Sequence, residues 1–295
     1  PKSIFRLAEQ LKNINLDMII DSSHIEQLIE DRSLSPFPQL LTTERPDKTA
    51  IGLSQGRVAI MMEGSPHALL VPGVFMDFLH SVEDYYHRFY YSLAVRGLRY
   101  LMYGTALLLP ALYIAITTYH QEMIPTSLLI TIASSRTGVP FPALIEALAM
   151  ETVFEALREA GLRLPKAIGP AVTIVGALII GEAAVTAGIV SQPMVIVVAL
   201  TGIASFTIPK YNAAISERLL RFPIMFLAAL LGVYGVLLSI LILIIHLASI
   251  ESFGIPYLST IPSLSDNDIL RVPLPHQNVR RRRYEASKKN KQSSD

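Results

Sequence analysis

The chain has 295 residues, of which 51% are hydrophobic and 17% charged, and its formal net charge is +1. Soluble domains usually carry about 25% charged residues, so this deficit, together with a mean hydropathy of +0.44, indicates a membrane protein. The absence of cysteine excludes disulfides, thiolate metal sites and a cysteine nucleophile.

Residues Pro1–Tyr91 mix charged and apolar side chains as a soluble domain does. The segment Pro1–Asp31 is typical of helix, and the proline-punctuated segment Phe37–Asp47 is typical of a loop. Arg57–Met62 and His67–Val71 predict a β-hairpin. Because the chain begins with proline and no signal-like apolar run follows, we interpret residue 1 as a position inside a longer protein. Residues 1–91 are therefore predicted to be part of a cytoplasmic α/β domain.

Four segments approach the roughly 20 apolar residues that a helix needs to cross a bilayer. They are Leu98–Tyr119, Ile168–Val190, Met194–Pro209 and Phe222–Ile250. Between the first two, Met123–Ser134 and Phe141–Arg163 are too short or too charged for simple spans, which predicts a re-entrant or interfacial helical pair. The predicted fold is an α-helical polytopic membrane protein, with about four transmembrane helices within residues 92–259, preceded by part of a soluble α/β domain.

Basic residues flank the predicted spans at both ends of the chain. They are Arg88, Arg96 and Arg99 before the first span, and Arg271, Arg280–Arg283, Lys288, Lys289 and Lys291 after the last. The positive-inside rule then predicts that both termini are cytoplasmic, although Lys210, Arg218 and Arg221 would lie on the opposite side. Residues 260–295 are predicted to be a disordered cytoplasmic tail. Its arginines either bind anionic lipid headgroups or set the topology, and nucleic-acid binding is not indicated.

The segment Ile168–Val190 is the most informative of the predicted spans. At about 100° per residue, small residues gather on one side, which should pack on another helix. These packing residues are Thr173, Ala177, Gly181, Ala184 and Gly188. The opposite side is a β-branched stripe with one carboxylate, formed by Val172, Val175, Ile179, Glu182 and Thr186. In a ring of identical subunits this stripe would form a hydrophobic pore gate with a cation-favouring ring of Glu182. The alternative is an ion pair between Glu182 and an arginine of the same chain.

Glu146 is the second acid in an apolar setting. It falls in the middle of the apolar side of the helix predicted over Phe141–Arg163, opposite a polar side. That polar side is formed by Glu151, Glu155, Arg158 and Glu159. Glu146 is a functional candidate if it faces a wet cavity or an ion-pair partner; otherwise it is a helix-start carboxylate favoured by the helix dipole. The sequence contains no phosphate loop, metal-ligand spacing or nucleophile–base arrangement, so we expect neither an enzyme nor a cofactor or metal.

Several long stretches between about Ser35 and Ser259 carry a recognisable family pattern. They include SPFPQLLTTERPDKTA, GRVAIMMEGSPHALLVP, SVEDYYHRF and GVPFPALIEALAMETVFEALREAGLRLPKAIGPAVTIVGALIIGEAAVTAGIVS. The chain resembles the A subunit of the GerA family of spore germination proteins. The resemblance implies a subunit of a nutrient germinant receptor in the spore inner membrane, acting with a transporter-like B subunit and a C lipoprotein.

The same resemblance implies a homo-oligomeric ring of A subunits that releases monovalent cations when nutrient binds. It also leads us to expect glutamine at the position of Glu182 in some relatives, so an acidic ring would tune conduction without being essential to it. Two other functions stay open. One is a secondary transporter, whose broken helices would hold substrate at the midplane. The other is a non-conducting scaffold subunit of the receptor.

Overall fold

The computed structural model describes Leu7, residues 21–165 and residues 169–259, without the side chains of Tyr85 and residues 170–175. The chain divides into two compact units, one formed by residues 1–100 with 247–295 and the other by residues 101–246. The predicted tail at residues 260–295, and most of the predicted first helix, lie outside the described residues. The domain boundaries predicted at residues 91 and 259 stay predictions.

The first unit is a small α/β structure built on a three-stranded sheet. Its helices are α1 (Ser22–Ile29), α2 (Pro46–Ser54) and α3 (Phe75–Leu79), and the strands of this sheet are β1 (Leu41–Thr43), β2 (Val58–Met61) and β3 (Ala68–Val71). The strand order is β1-β3-β2, with both pairings antiparallel. Every residue of the central strand β3 is buried, which explains its continuous apolar sequence. The predicted pairing of the second and third strands is confirmed.

The segment Phe37–Asp47, predicted as a loop, contains regular structure. Its residues Leu41–Thr43 form β1, with Leu41 opposite Leu70 of β3, and α2 begins at Pro46. Three residues are too few for a periodic pattern, so this strand exists because β3 offers it an edge. Proline at the first helical position suits the fixed backbone angle of a helix start, so Pro46 begins a helix where it was expected to interrupt structure.

The chain returns to the first unit after the last helix. A two-stranded ribbon of β4 (Glu251–Ser252) and β5 (Ile255–Pro256) follows, and Phe253 is buried with Ile25 and Ile29. The backbone oxygen of Tyr257 accepts a hydrogen bond from the backbone of Phe75 at 2.9 Å. Segments from both ends of the described chain therefore share one hydrophobic core.

The second unit is helical. Its helices are α4 (Phe89–Tyr119), whose first residues belong to the first unit, α5 (Thr126–Arg136), α6 (Ala143–Arg163), α7 (Gly169–Thr186), α8 (Gln192–Phe206), α9 (Tyr211–Leu231) and α10 (Val233–Ser249). Short 3₁₀ turns at Val82–Tyr85 and Gln121–Met123 flank α4. Apolar residues of α4, α6, α8 and α9 form the core, including Ile114, Ala147, Met194 and Met225. The predicted pair of helices between the first two spans corresponds to α5 and α6.

One described helix, α4, is long and apolar enough to cross a bilayer, and shorter apolar stretches occupy 176–186, α8 and α10. The prediction of about four transmembrane helices is therefore not confirmed. The predicted span Phe222–Ile250 is not one helix, because α9 ends at Leu231 and α10 begins at Val233. Gly232 separates them with a backbone φ of +63°, a left-handed conformation that glycine adopts readily.

Candidate functional site

The small-residue side of α7 packs inside the second unit. Gly181 is buried, and a Cβ atom added there would lie 3.5 Å from Val195 of α8, an ordinary contact distance. Ala184 packs against the core of the unit, and Ala177 is half-buried. Gly188 lies beyond the helix end with a φ of +66°. The fifth predicted packing residue, Thr173, has no described side chain.

The opposite side of α7 is exposed on this chain. Ile179 is 59% exposed, and Glu182 and Thr186 are exposed as well. The side chains of Val172 and Val175, the other predicted gate residues, lie outside the described part of the chain. Within that described part, Glu182 makes no ion pair. The exposed stripe is therefore available to lipid, to water or to another subunit, and its role as a gate stays a prediction.

Glu146 is fully buried and ties three segments together. Arg136 Nη2, at the end of α5, donates to Glu146 Oε1 at 2.9 Å, and the backbone nitrogen of Ser191 donates to Oε2 at 2.8 Å. Ser191 is the residue that caps the N-terminus of α8. The carboxylate thus joins α5, α6 and the start of α8, and a charge-assisted bond to a helix N-terminus is a favourable place for an acid. Whether Glu146 acts in function stays a prediction.

Arg221 of α9 lies at the centre of a second buried ion-pair group. Its Nη1 donates to Glu151 Oε2 of α6 at 2.6 Å, and its Nη2 donates to Glu217 Oε1, one turn back on α9, at 2.8 Å. All three side chains are at most 4% exposed. A charge at this depth requires a partner, because an isolated buried ion is strongly unfavourable.

Arg218 forms the neighbouring connection between the same two helices. Its Nη1 is bonded to Glu155 of α6, and its Nε donates to the backbone oxygen of Ala214 on its own helix at 3.1 Å. Arg158 of α6 donates to Ser205 Oγ of α8 at 2.7 Å. We use the name α6–α9 seam for the ion pairs of Arg218 and Arg221 with Glu155 and Glu151. Arg218 and Arg221, which the predicted topology places on the side opposite the termini, are both buried in ion pairs.

The sequence predicts that the acids of the seam lie on a polar side of α6, but it does not identify their partners. The signal that was available is a pair of acids at i and i+4 on one helix, Glu151 and Glu155, and a pair of arginines at i and i+3 on another. Such complementary pairs become neighbours only when two helices pack, so spacing alone does not identify them.

A third charged cluster lies in the first unit, at the start of α4. Arg99 donates to both carboxylate oxygens of Asp84 at 2.8 and 3.1 Å, and Arg96 Nε lies 3.4 Å from Asp84 Oδ2. Burial alone would raise the pKa of Asp84, but the hydrogen bonds from Arg99 hold it below its usual value. Two of the arginines assigned to topology at the first span are thus also structural partners of this acid.

No metal site is evident in the part of the chain that the structure describes, where no three His, Cys, Asp or Glu side chains are grouped to hold an ion. The buried charged residues of the second unit are in ion pairs, as expected of ionisable groups removed from water; they are Glu146, Glu151, Glu217, Arg218 and Arg221. The chemistry that this arrangement supports is electrostatic: it orients helices and compensates buried charge.

The family model described as Bacillus/Clostridium GerA spore germination protein matches residues 1–283. Among individual proteins, the chain is 53% identical to the uncharacterized membrane protein YfkQ of Bacillus subtilis (strain 168), covering 91% of this chain and 52% of that protein. It is 50% identical to spore germination protein KA of the same organism, covering 92% and 51% of the two chains.

Spore germination protein A1 of Bacillus subtilis (strain 168) is 45% identical, over 94% of this chain and 58% of that protein. The chain thus spans about half the length of the curated relatives it matches. No solved structure matches the chain.

Proposed function

Because this chain belongs to the Bacillus/Clostridium GerA spore germination protein family, we propose that it is part of the A subunit of a nutrient germinant receptor. Its relatives include spore germination proteins A1, KA and GerLA. The proposal places the chain in the spore inner membrane as a non-enzymatic subunit, without a cofactor. Its partners would be a transporter-like B subunit, a C lipoprotein and further copies of itself.

The proposed mechanism is a ring of A subunits whose α7 helices line a gated cation pore. The observation that carries this proposal is the division of α7 into a buried small-residue side and an exposed side bearing Ile179 and Glu182. An acid exposed among apolar neighbours is unfavourable against lipid and favourable against water. A ring arrangement would place it against water, where branched side chains gate by dewetting.

The shared core of the first unit supports the proposed topology. The segments before α4 and after α10 pack together, with Phe253 against Ile25 and Ile29. Two segments in one core lie on the same side of a bilayer, so the helices between them would cross an even number of times. The basic flanks then favour the cytoplasmic side for both ends of this chain.

Replacing Ile179 with serine should make the gate leak, because a small polar side chain lets water occupy the constriction. We expect dormant spores that carry this change in the full-length receptor to release monovalent cations in nutrient-free buffer at least about tenfold faster than wild type. The matched control is Leu178→Ser, an exposed residue of α7 just outside the stripe. Spores with Ile179→Ser that stay dormant and respond normally to nutrient would show that α7 does not line the gate, and would favour a scaffold role.

A further inference from the structure

The α6–α9 seam has an unusual construction, in which each arginine is bonded to both helices. Arg221 is held by Glu151 of α6 at 2.6 Å and by Glu217 of its own helix at 2.8 Å. Arg218 is held by Glu155 of α6 and by the backbone oxygen of Ala214 of its own helix. If α6 and α9 separate, both arginines therefore keep an acceptor.

The two acids of α6 in the seam differ in whether they have a second ion-pair partner on their own helix. Glu155 has an arginine on its own helix, since Arg158 Nη1 lies 3.8 Å from its Oε2. Glu151 makes no ion pair with an arginine of α6 among the described side chains, where Arg158 acts on it only at longer range, and its Oε1 makes no hydrogen bond there. Separation would therefore leave Glu155 in an ion pair but would remove the ion pair that Glu151 makes among the described side chains. Removing one member of a buried ion pair is strongly unfavourable when the other is left uncompensated, so Glu151 dominates the resistance of the seam to opening.

Movement at the seam would reach the proposed pore helix through close packing. A Cβ atom added at Gly176 of α7 would lie 2.9 Å from Leu157 Cδ2 of α6, and one added at Gly169 would lie 2.6 Å from the backbone oxygen of Gly161. Surfaces in such close contact shift together, because a packed interface has little free space to absorb displacement. A change in the position of α6 therefore displaces α7.

We propose that the α6–α9 seam is a two-state latch, closed in the resting protein by the Glu151–Arg221 ion pair and made able to open by the Glu217–Arg221 pair. This inference rests on the proposed channel function and adds to it the element that sets the resting position of α7. The two acids bonded to Arg221 then have opposite effects on the opening equilibrium. Glu151 stabilises the closed state, whereas Glu217 stabilises Arg221 in both states and is its sole acidic partner in the open one.

The test compares Glu151→Gln with Glu217→Gln in the full-length receptor, since glutamine keeps the shape and removes the charge. Glu151→Gln should raise nutrient-independent cation release from dormant spores by at least about tenfold, because it weakens the closed state. Glu217→Gln should lower the response to nutrient by a similar factor, because opening then leaves Arg221 without an acid. Glu159→Gln is the matched control, an exposed acid of α6 whose ion-pair partner among the described side chains is Arg163.

Hydrogen–deuterium exchange of the purified receptor provides a readout that does not depend on conduction. Glu151→Gln should speed amide exchange in α6 and α9, and Glu217→Gln should leave it unchanged or slower. If amide exchange changes as expected but the receptor conducts no ions, the latch proposal is supported and the channel proposal is wrong. A conducting receptor in which both substitutions cause leakage, or neither has an effect, would overturn the latch and leave the channel standing.

Discussion

Glu146 and Arg136 illustrate how a single buried charge is stabilised in this protein. The Glu146 side chain has no exposure, whereas Arg136 is 22% exposed, so only the acid depends fully on its partners. Besides the ion pair, Glu146 accepts the backbone N–H at the start of α8. Glutamine at this position retains an acceptor but loses the charge that both donors favour.

Glu146→Gln should therefore lower the free energy of unfolding by about 2–3 kcal/mol, somewhat less than for a fully buried ion pair because Arg136 regains water. The midpoint of thermal unfolding of the purified full-length subunit measures this change. Glu159→Gln is again the control, since its exposed i,i+4 pair with Arg163 contributes only about 0.3–0.5 kcal/mol. Equal midpoints for Glu146→Gln and the control would show that this carboxylate does not hold the three segments.

His80 predicts a pH dependence in the first unit. Its Nε2 lies 2.6 Å from the hydroxyl of Tyr100, and burial, together with the positive charge of Arg96, lowers its pKa to about 4. The unfolded chain would have a histidine pKa of about 6.5. Between these two values the unfolded state binds the additional proton, so folded stability is complete above about pH 6.5 and decreases as the pH falls toward 4.

The measurement is the thermal midpoint at pH 7 and pH 5, compared between wild type and His80→Gln. We expect the wild-type midpoint to fall between these pH values by several degrees more than that of the variant, because glutamine does not titrate. The acids with a lowered pKa in this unit, Asp21, Asp47 and Asp84, stay ionised in this interval. Burial raises the pKa of Glu30, but Glu30 is present in both proteins, so the comparison with His80→Gln removes its contribution. A wild-type midpoint that changes no more than that of His80→Gln would contradict the assignment.

Among the helices, α7 shows what residue periodicity can and cannot predict. The assignment of small residues to one side and branched residues to the other needed only the rotation per residue. In the structure Gly181 is buried and Ile179 is exposed, and the roles assigned to the two sides stay predictions. Which partner covers the exposed side is a matter of assembly, so periodicity within one chain does not determine it.

The α6–α9 seam and the break at Gly232 were not accessible in the same way. From the sequence, an acid on α6 is predicted to face solvent, because its arginine partner is distant in the chain. For Glu151 this partner is 70 residues away. The apolar run across Gly232 predicts one helix, because hydropathy does not detect a left-handed backbone conformation. A Cβ atom there would lie 2.8 Å from His120 Cε1, so close packing as well as conformation favours glycine.

At the scale of the whole molecule, the shared core of the first unit determines which chain segments lie together. Tyr257 is almost completely buried, and its hydroxyl donates to the backbone oxygen of Pro38 at 2.7 Å. Ser252 Oγ donates to the backbone oxygen of Gln39 at 2.9 Å. These bonds connect residues more than 200 positions apart, which come before and after the helical unit in the sequence.

Single cysteines at Ser54 and at Leu258 should therefore be labelled from the same side of the membrane. Both positions are exposed, and this chain has no cysteine of its own. In sealed vesicles that contain a cysteine-free full-length protein, an impermeant maleimide should label both variants to the same extent, and the parent protein should show no labelling. Labelling of the two positions from opposite faces would contradict an even number of crossings.

The sequence by itself determined the family and the helical character, because these depend on composition, local periodicity and long contiguous patterns; the two faces of α7 stay a prediction from the same periodicity. Only the tertiary structure decided the partners of Glu146, Glu151 and Arg221, and the return of residues 250–259 to the first core. Ion pairs and shared cores join residues distant in the chain. Their energies depend on which groups lose water together, and this follows from packing rather than from the order of residues.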